Sequence, residues 1–239
     1  MAIDDQLDQV RQQYPEESAN VGFEGAMYLL SLVPTTGPVA AIIQGLREHF
    51  SSSRAVHRLQ VLFDALEATV RRQGKSLDDL RAQIGNPRAV ESIIRAVEIT
   101  VQISNEWKIE NFGKILGSQA ASGDSDGWDE ASALVEDLSR LTDDDIKALE
   151  VLVRHQSNFV KLNPTTHDYN NLVASMRAIF QELDSKSVGR GEFYSHAFRL
   201  IGFGLAVPLN FNPSAMGPQD QGVGVTLRGV RLMKILGDI

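Results

Sequence analysis

The 239-residue sequence contains no cysteine. That absence excludes thiol nucleophiles, disulfide frameworks and any zinc site built on thiolates. Five histidines remain for soft metal ligation, His49, His57, His155, His167 and His196, and no two of them stand four apart on an expected helix as a metal pair would. Basic residues are scarce too. Twenty-three Lys and Arg face 31 Asp and Glu, for a net charge of -8 and an isoelectric point near 5.1. Bulk attraction to nucleic acid or anionic lipid needs the opposite balance, so it is not the binding mode of the whole chain. Strong catalytic signatures are missing as well: there is no H-E-x-x-H or G-x-x-x-x-G-K-[ST], and the one G-x-S-x-G match, Gly123 to Gly127, lies in the loop-like run from Gly117 to Gly127 with no strand before it. The pairs Gly202/Gly204 and Gly222/Gly224 lack the third glycine and the strand-to-helix setting of a dinucleotide loop. The chain therefore reads as non-enzymatic, with no catalytic residue, cofactor or metal expected.

What is present is an ordinary globular composition, 43% hydrophobic and 23% charged, with a mean hydropathy of -0.14. A chain of this size buries roughly 70% of its unfolded surface, enough for a sizeable core. The opening MAIDDQLDQVRQQY is acidic, where an export signal needs a basic start before an apolar run, so the expected location is the cytoplasm. One segment raises the membrane question. Gly25 to Leu46 carries no charge for 22 residues, and Arg47, Arg54 and Arg58 follow it. Pro34, Gly37 and Pro38 break its centre, leaving halves of roughly 13 Å of helix, too short to cross a bilayer. The expected form is a buried helical hairpin. The alternative is a hairpin that meets membrane or a partner through Tyr28, Leu29, Leu30, Ile42 and Ile43.

Apolar spacing reads as helix nearly everywhere before Gly204. Ile3, Leu7 and Val10 line a short helix ending near Pro15. Leu59, Leu62, Phe63, Leu66 and Val70 mark a longer one from about Arg54 to Gln73, with Gly74 as its stop. Ser76 with Asp79 resembles a capping box, and Asn86 with Pro87 opens the next helix. From Val97 to Ser104 a strand-like alternation competes with helical spacing. The upstream helical pattern and the absence of Gly or Pro before Gly113 favour one long helix through Leu116. The run Gly117 to Gly127 reads as the main loop and domain boundary. It separates a helical domain, 1–120, from a second domain, 128–239.

In that second part Thr142 with Asp145 makes another capping box, Tyr169 to Leu183 repeats helically, and Phe193, Tyr194, Ala197, Phe198 and Ile201 mark a third helix. After Gly204 the pattern alternates as strands do, around a long turn, NPSAMGPQDQG, and Thr226 caps a last helix. Helix, helix, helix, hairpin, helix is a winged-helix-like order. The fold class is therefore mainly α: a helical N-terminal body, then a winged-helix-like region with one small β-hairpin. The core should include Leu62, Phe63, Leu66, Ile94, Val97, Leu149, Leu152, Leu172, Met176, Ile179, Phe198 and Ile235.

Carboxylate groups offer little chemistry by spacing. Asp124, Asp126 and Asp129 lack the spacing of a calcium loop, and the pairs Asp4/Asp5, Glu16/Glu17 and Asp78/Asp79 suit helix starts and polar faces. Charge is divided along the chain, with +3 over residues 186–239 and -11 before them. Lys186, Arg190, Arg199, Arg228, Arg231 and Lys234 are thus the candidates for DNA contact, although the third helix is poor in groups that read base edges. A protein is the expected partner, with DNA and then membrane as alternatives.

Four stretches, the Pro34 to Pro38 hairpin, VQISNEWKIENFGKILGSQA, LSRLTDDDIKALEVL and the ending RLIGFGLAV with VTLRGVRLMKIL, together touch about half of the chain. Their pattern resembles a group of bacterial helical proteins related to the Abi-alpha type, which is associated with phage abortive infection. The resemblance implies a helical protein with a winged-helix-like C-terminal part and a defence role, and supplies no catalytic residue. The turn NPSAMGPQDQG is longer than the wing the family often has.

Overall fold

The computed structural model describes residues 53–76, 86–156, 169–186, 189–209 and 222–237. Among them the chain forms eight helices and one antiparallel two-stranded hairpin. In chain order these are α1 (Ser53–Arg72), α2 (Pro87–Gln102), α3 (Glu106–Ser122), α4 (Trp128–Arg140), α5 (Asp143–Gln156), α6 (Tyr169–Ser185), α7 (Arg190–Gly202), β1 (Ala206–Leu209), β2 (Gly222–Val225) and α8 (Leu227–Leu236). The chain divides into two compact units, residues up to Ser139 and residues from Arg140 onward.

In the first unit α1 buries Leu59, Leu62, Phe63, Leu66 and Val70, the stripe its three- and four-residue steps define. It stops where Gly74 adopts φ +73°, with Lys75 N–H donating to the Val70 carbonyl at 3.2 Å, a left-handed C-cap. Helices α1 and α3 run parallel. His57 meets Glu106 at one end at 3.1 Å and Gln73 donates to Ser118 at the other at 3.2 Å. Between them Gly113 and Gly117 face α1 so closely that a Cβ on Gly113 would lie 2.2 Å from the Leu62 carbonyl oxygen, and one on Gly117 2.7 Å from that of Leu66. Only glycine permits this approach.

The expected single helix from Asn86 to Leu116 is two helices. Helix persists through the alternating stretch to Gln102, Ile103 turns extended at φ -94°, ψ 140°, and α3 begins afresh. The cause is local capping: Asn105 accepts from Lys108 N–H at 3.2 Å, and Arg58 donates to the Val101 carbonyl at 2.9 Å, occupying an acceptor at the end of α2 that would otherwise be orphaned. The start of α2 is as its sequence says, Asn86 accepting from Arg88 N–H with Pro87 in the first turn. The loop expected from Gly117 to Gly127 is shorter, because α3 continues to Ser122 with Ala120 and Ala121 buried, and only Gly123, at φ +72°, ends it. On the α2 side, Ser92 donates to the Trp128 carbonyl at 3.0 Å, and Lys108 donates to that of Ser139 at 3.1 Å near the end of α4.

The second unit is arranged about α5, which packs against α6, α7, β2 and α8. Leu149, Leu152 and Val153 meet a core that includes Met176, Ile179, Phe193, Leu200 and Leu232, all buried. Ala206 pairs with Val225 and Pro208 with Val223 in the hairpin register. The outer side of β2 is closed by one side chain. The buried Gln156 amide donates to the Val223 carbonyl at 3.0 Å and accepts from Val225 N–H at 2.8 Å, imitating a third strand. Since Val223 and Val225 turn those groups away from β1, their partners Ala206 and Pro208 turn theirs to the edge that carries no further strand among the described residues, where Pro208 has no N–H to offer one. Thr226 caps α8 as expected, its hydroxyl accepting from Gly229 N–H at 3.1 Å.

Of the expected core, Leu62, Phe63, Leu66, Ile94, Val97, Leu149, Leu152, Met176 and Ile179 are buried and Ile235 is half-buried. The Leu172 side chain lies outside the described residues, as do the segments 1–52, 77–85, 157–168, 187–188, 210–221 and 238–239, with the uncharged hairpin, the Asp79 half of the Ser76–Asp79 box and most of the long turn. Phe198 is a correction, being 44% exposed. Helix α7 is apolar on two sides, and the side that turns inward is Phe193, Ala197 and Leu200.

The α1–α3 approach makes a direct expectation. Gly113→Ala should lower stability by about 1–3 kcal/mol in urea unfolding, backbone overlap outweighing the gain in helix propensity. Gly191→Ala, with nothing within 4 Å of its added Cβ, should not lower it.

Candidate functional site

The second unit brings together side chains that sequence spacing leaves apart. Asp145 is in the first turn of α5, where the capping box is reciprocal: Thr142 N–H donates to its carboxylate at 2.8 Å, and Asp145 N–H donates to the Thr142 hydroxyl at 3.2 Å. Its carboxylate has no solvent exposure, and two residues of α7 complete its shell. His196 Nδ1 lies 2.7 Å from Oδ1 and an Arg199 nitrogen 3.3 Å from Oδ2. Burial pushes the carboxyl up, but the Thr142 amide, His196 and Arg199 outweigh it and hold Asp145 below the ordinary carboxylate range, so it is ionised and can only accept. The Nδ1 of His196 therefore carries a proton, and in the neutral ring the lone pair is on Nε2.

A second histidine pairs with a carboxylate further along α5. Glu182, on α6, accepts from His155 Nε2 at 2.7 Å, Arg154 at 2.7 Å and Lys186 at 2.6 Å. Lys186 and His155 lead the causes that lower its carboxyl from 4.5 to about 2. Both histidines thus join α5 to a neighbouring helix, through opposite ring nitrogens.

On the other side of α7 the aromatic residues form a chain. Tyr194 stacks on Phe198 with centroids 5.8 Å apart and lies 5.9 Å from Phe193 and 6.0 Å from Phe180. Arg190 sits over the Phe180 ring at 4.6 Å and bonds Asp184 at 2.7 Å. Exposed Phe198 caps this chain.

The candidates for DNA contact have mixed surroundings. Lys186 pairs with Glu182, Arg190 with Asp184 and Arg199 with Asp145, while Arg228 donates to the Phe203 carbonyl at 3.0 Å. Arg231 and Lys234 are exposed on α8. Arg88 lies 3.2 Å from Asp126 and 3.6 Å from Asp129, and among the described residues no cluster of three His, Asp or Glu could hold a metal ion. Asp4/Asp5, Glu16/Glu17, Asp78/Asp79, His49, His167 and the hairpin residues Tyr28, Leu29, Leu30, Ile42 and Ile43 lie outside the described residues. No described helix is long and apolar enough to cross a membrane. The Asp145–His196 pair escaped sequence reasoning, since 51 residues separate its members; the capping box was its one visible half. No family model, curated protein or solved structure matches this chain.

Two outcomes follow from these pairs. Asp145→Ala should destabilise the fold by about 3 kcal/mol or more in chemical denaturation, because a helix cap, the His196 ring and the Arg199 guanidinium lose one buried acceptor. Glu182, held at about 2 against an ordinary 4.5, contributes stability that is present above its unfolded value and lost as pH falls toward its folded one. Melting temperatures measured between pH 5 and pH 2 should therefore fall less steeply in Glu182→Gln than in the native chain.

Proposed function

We propose that the chain is a non-enzymatic bacterial protein that acts by contacting other proteins, with the solvent side of α7 as its contact surface. One observation carries this reading. Phe198, 44% exposed and stacked on Tyr194, stands on a helix whose two arginines, Arg190 and Arg199, are engaged by Asp184 and Asp145. Aromatic side chains are enriched in protein interfaces, whereas a DNA-reading helix offers Arg, Lys, Asn or Gln to base edges. The helix, helix, helix, hairpin, helix order of the second unit supports its reading as a winged helix used for protein contact. A cytoplasmic setting and the phage-defence role implied by the resemblance to Abi-alpha-type proteins belong to the same proposal.

A second reading, a DNA-binding regulator, is favoured by α8, which has no acidic residue and sets Arg228, Arg231 and Lys234 at three-residue steps. Phosphate contact needs such cations.

The test compares the immobilised full-length protein with its Phe198→Asp variant, matched by far-UV circular dichroism, for proteins retained from a bacterial extract. We expect a partner held by the native chain and lost by the variant. If both retain the same proteins, α7 is not the contact surface. If the native chain instead binds duplex DNA at low salt, and Arg228→Ala, Arg231→Ala and Lys234→Ala together abolish that binding, the second reading replaces the first.

A further inference from the structure

His196 differs from an ordinary surface histidine in how it is held. Its Nδ1 faces Asp145 Oδ1 at 2.7 Å, Asp145 is fully buried, and the ring itself is one-fifth exposed. Its Nε2 makes no hydrogen bond among the described residues, and with Nδ1 turned onto a fully buried carboxylate the exposed fifth of the ring lies toward the opposite edge. A buried carboxylate on one ring nitrogen fixes the tautomer and leaves the lone pair on the other. One helical turn along, Arg199 spends one contact on Asp145 at 3.3 Å while its side chain is 47% exposed. A guanidinium carries five N–H donors in a fork that suits phosphate oxygens. The surface carboxylate of Asp144, next to Asp145 in the chain, is engaged by Lys147 at 2.8 Å.

From this geometry we infer that His196 is a phosphoryl-acceptor site: Nε2 takes a phosphoryl group from a small donor with an activated P–N or P–O bond, and Arg199 binds the transferred oxygens. The Nε2 lone pair forms the new N–P bond as the bond from phosphorus to the donor's leaving group breaks. The Nδ1 proton stays in its hydrogen bond, and the imidazolium so formed is neutralised by the Asp145 carboxylate. With phosphoramidate as donor the leaving group departs as ammonia, and no other reactant is needed. His155 lacks this arrangement, because its Nε2 is the nitrogen committed to Glu182, and exposed His57 has, among the described residues, only the exposed Glu106 as its partner. The inference stands on Asp145, His196 and Arg199 and does not depend on protein contact through Phe198.

The experiment incubates the full chain with potassium phosphoramidate at neutral pH. It follows acid-labile phosphate on each histidine by peptide mass spectrometry, and the position of the N–P bond by phosphorus-31 NMR. We expect His196 to be modified on Nε2, about tenfold or more faster than His57, and Arg199→Ala, whose fold is checked by circular dichroism and urea unfolding because it also removes one donor of Asp145, to slow it by a similar factor. His196→Ala should remove that modification and leave the slow reaction of the other histidines. Modification of His196 at the rate of His57 or slower, attachment through Nδ1, or a rate indifferent to Arg199 would each overturn the assignment.

Discussion

A carboxylate that no water reaches must find its hydrogen-bond donors within the protein, and Asp145 is where this requirement organises the second unit. An unpaired charge there would cost several kcal/mol, so its donors cannot be optional. One comes from its own helix start, the Thr142 amide, and the others from α7, through His196 and Arg199. Holding those two side chains fixes the rotation of α7 about its axis. Phe193, Ala197 and Leu200 then face the core, and Phe198 faces outward. The aromatic surface and the exposed imidazole nitrogen are both consequences of one satisfied charge.

The same helix carries similar obligations at its far end. Gln156 closes β2, and Arg154 and His155 share Glu182 with α6. Helix α5 is thus joined to α6, α7 and β2 by at least one polar contact each as well as by apolar packing, and such contacts fix register where packing alone allows sliding. The first unit solves its packing differently. Between α1 and α3 it removes side chains, at Gly113 and Gly117, so that two backbones meet directly. Close approach there does what hydrogen bonds do around α5.

Signals confined to a few neighbouring residues were legible in the sequence. Asn86 with Pro87, Thr142 with Asp145, Thr226 and Gly74 each act as cap or stop, because capping chemistry lies within four residues of its target. The division of α2 from α3 had a local signal as well, Asn105, but the apolar pattern running across it masked the cap. Phe198 was misplaced for a related reason. Its helix offers two apolar sides at helical spacing, and the choice between them is made by Asp145, far away in sequence. Gln156 as a substitute strand and the His196 pairing are tertiary facts with no periodic trace. At Gly117 the reading as a loop failed because a glycine needed for close packing looks the same in sequence as a glycine needed for a turn.

The second unit thus couples a structural demand to its surface: the buried carboxylate orients α7 and also determines which nitrogen of His196 faces water. That tautomer is the central physical claim, and two-bond proton–nitrogen correlation spectra of the nitrogen-15-labelled full chain, recorded at pH 8 or above, observe it directly. The account predicts His196 with its proton on Nδ1 and an unprotonated Nε2, and loss of that preference in Asp145→Asn. A native His196 protonated on Nε2, or one exchanging evenly between the two forms as a free imidazole does, would contradict it.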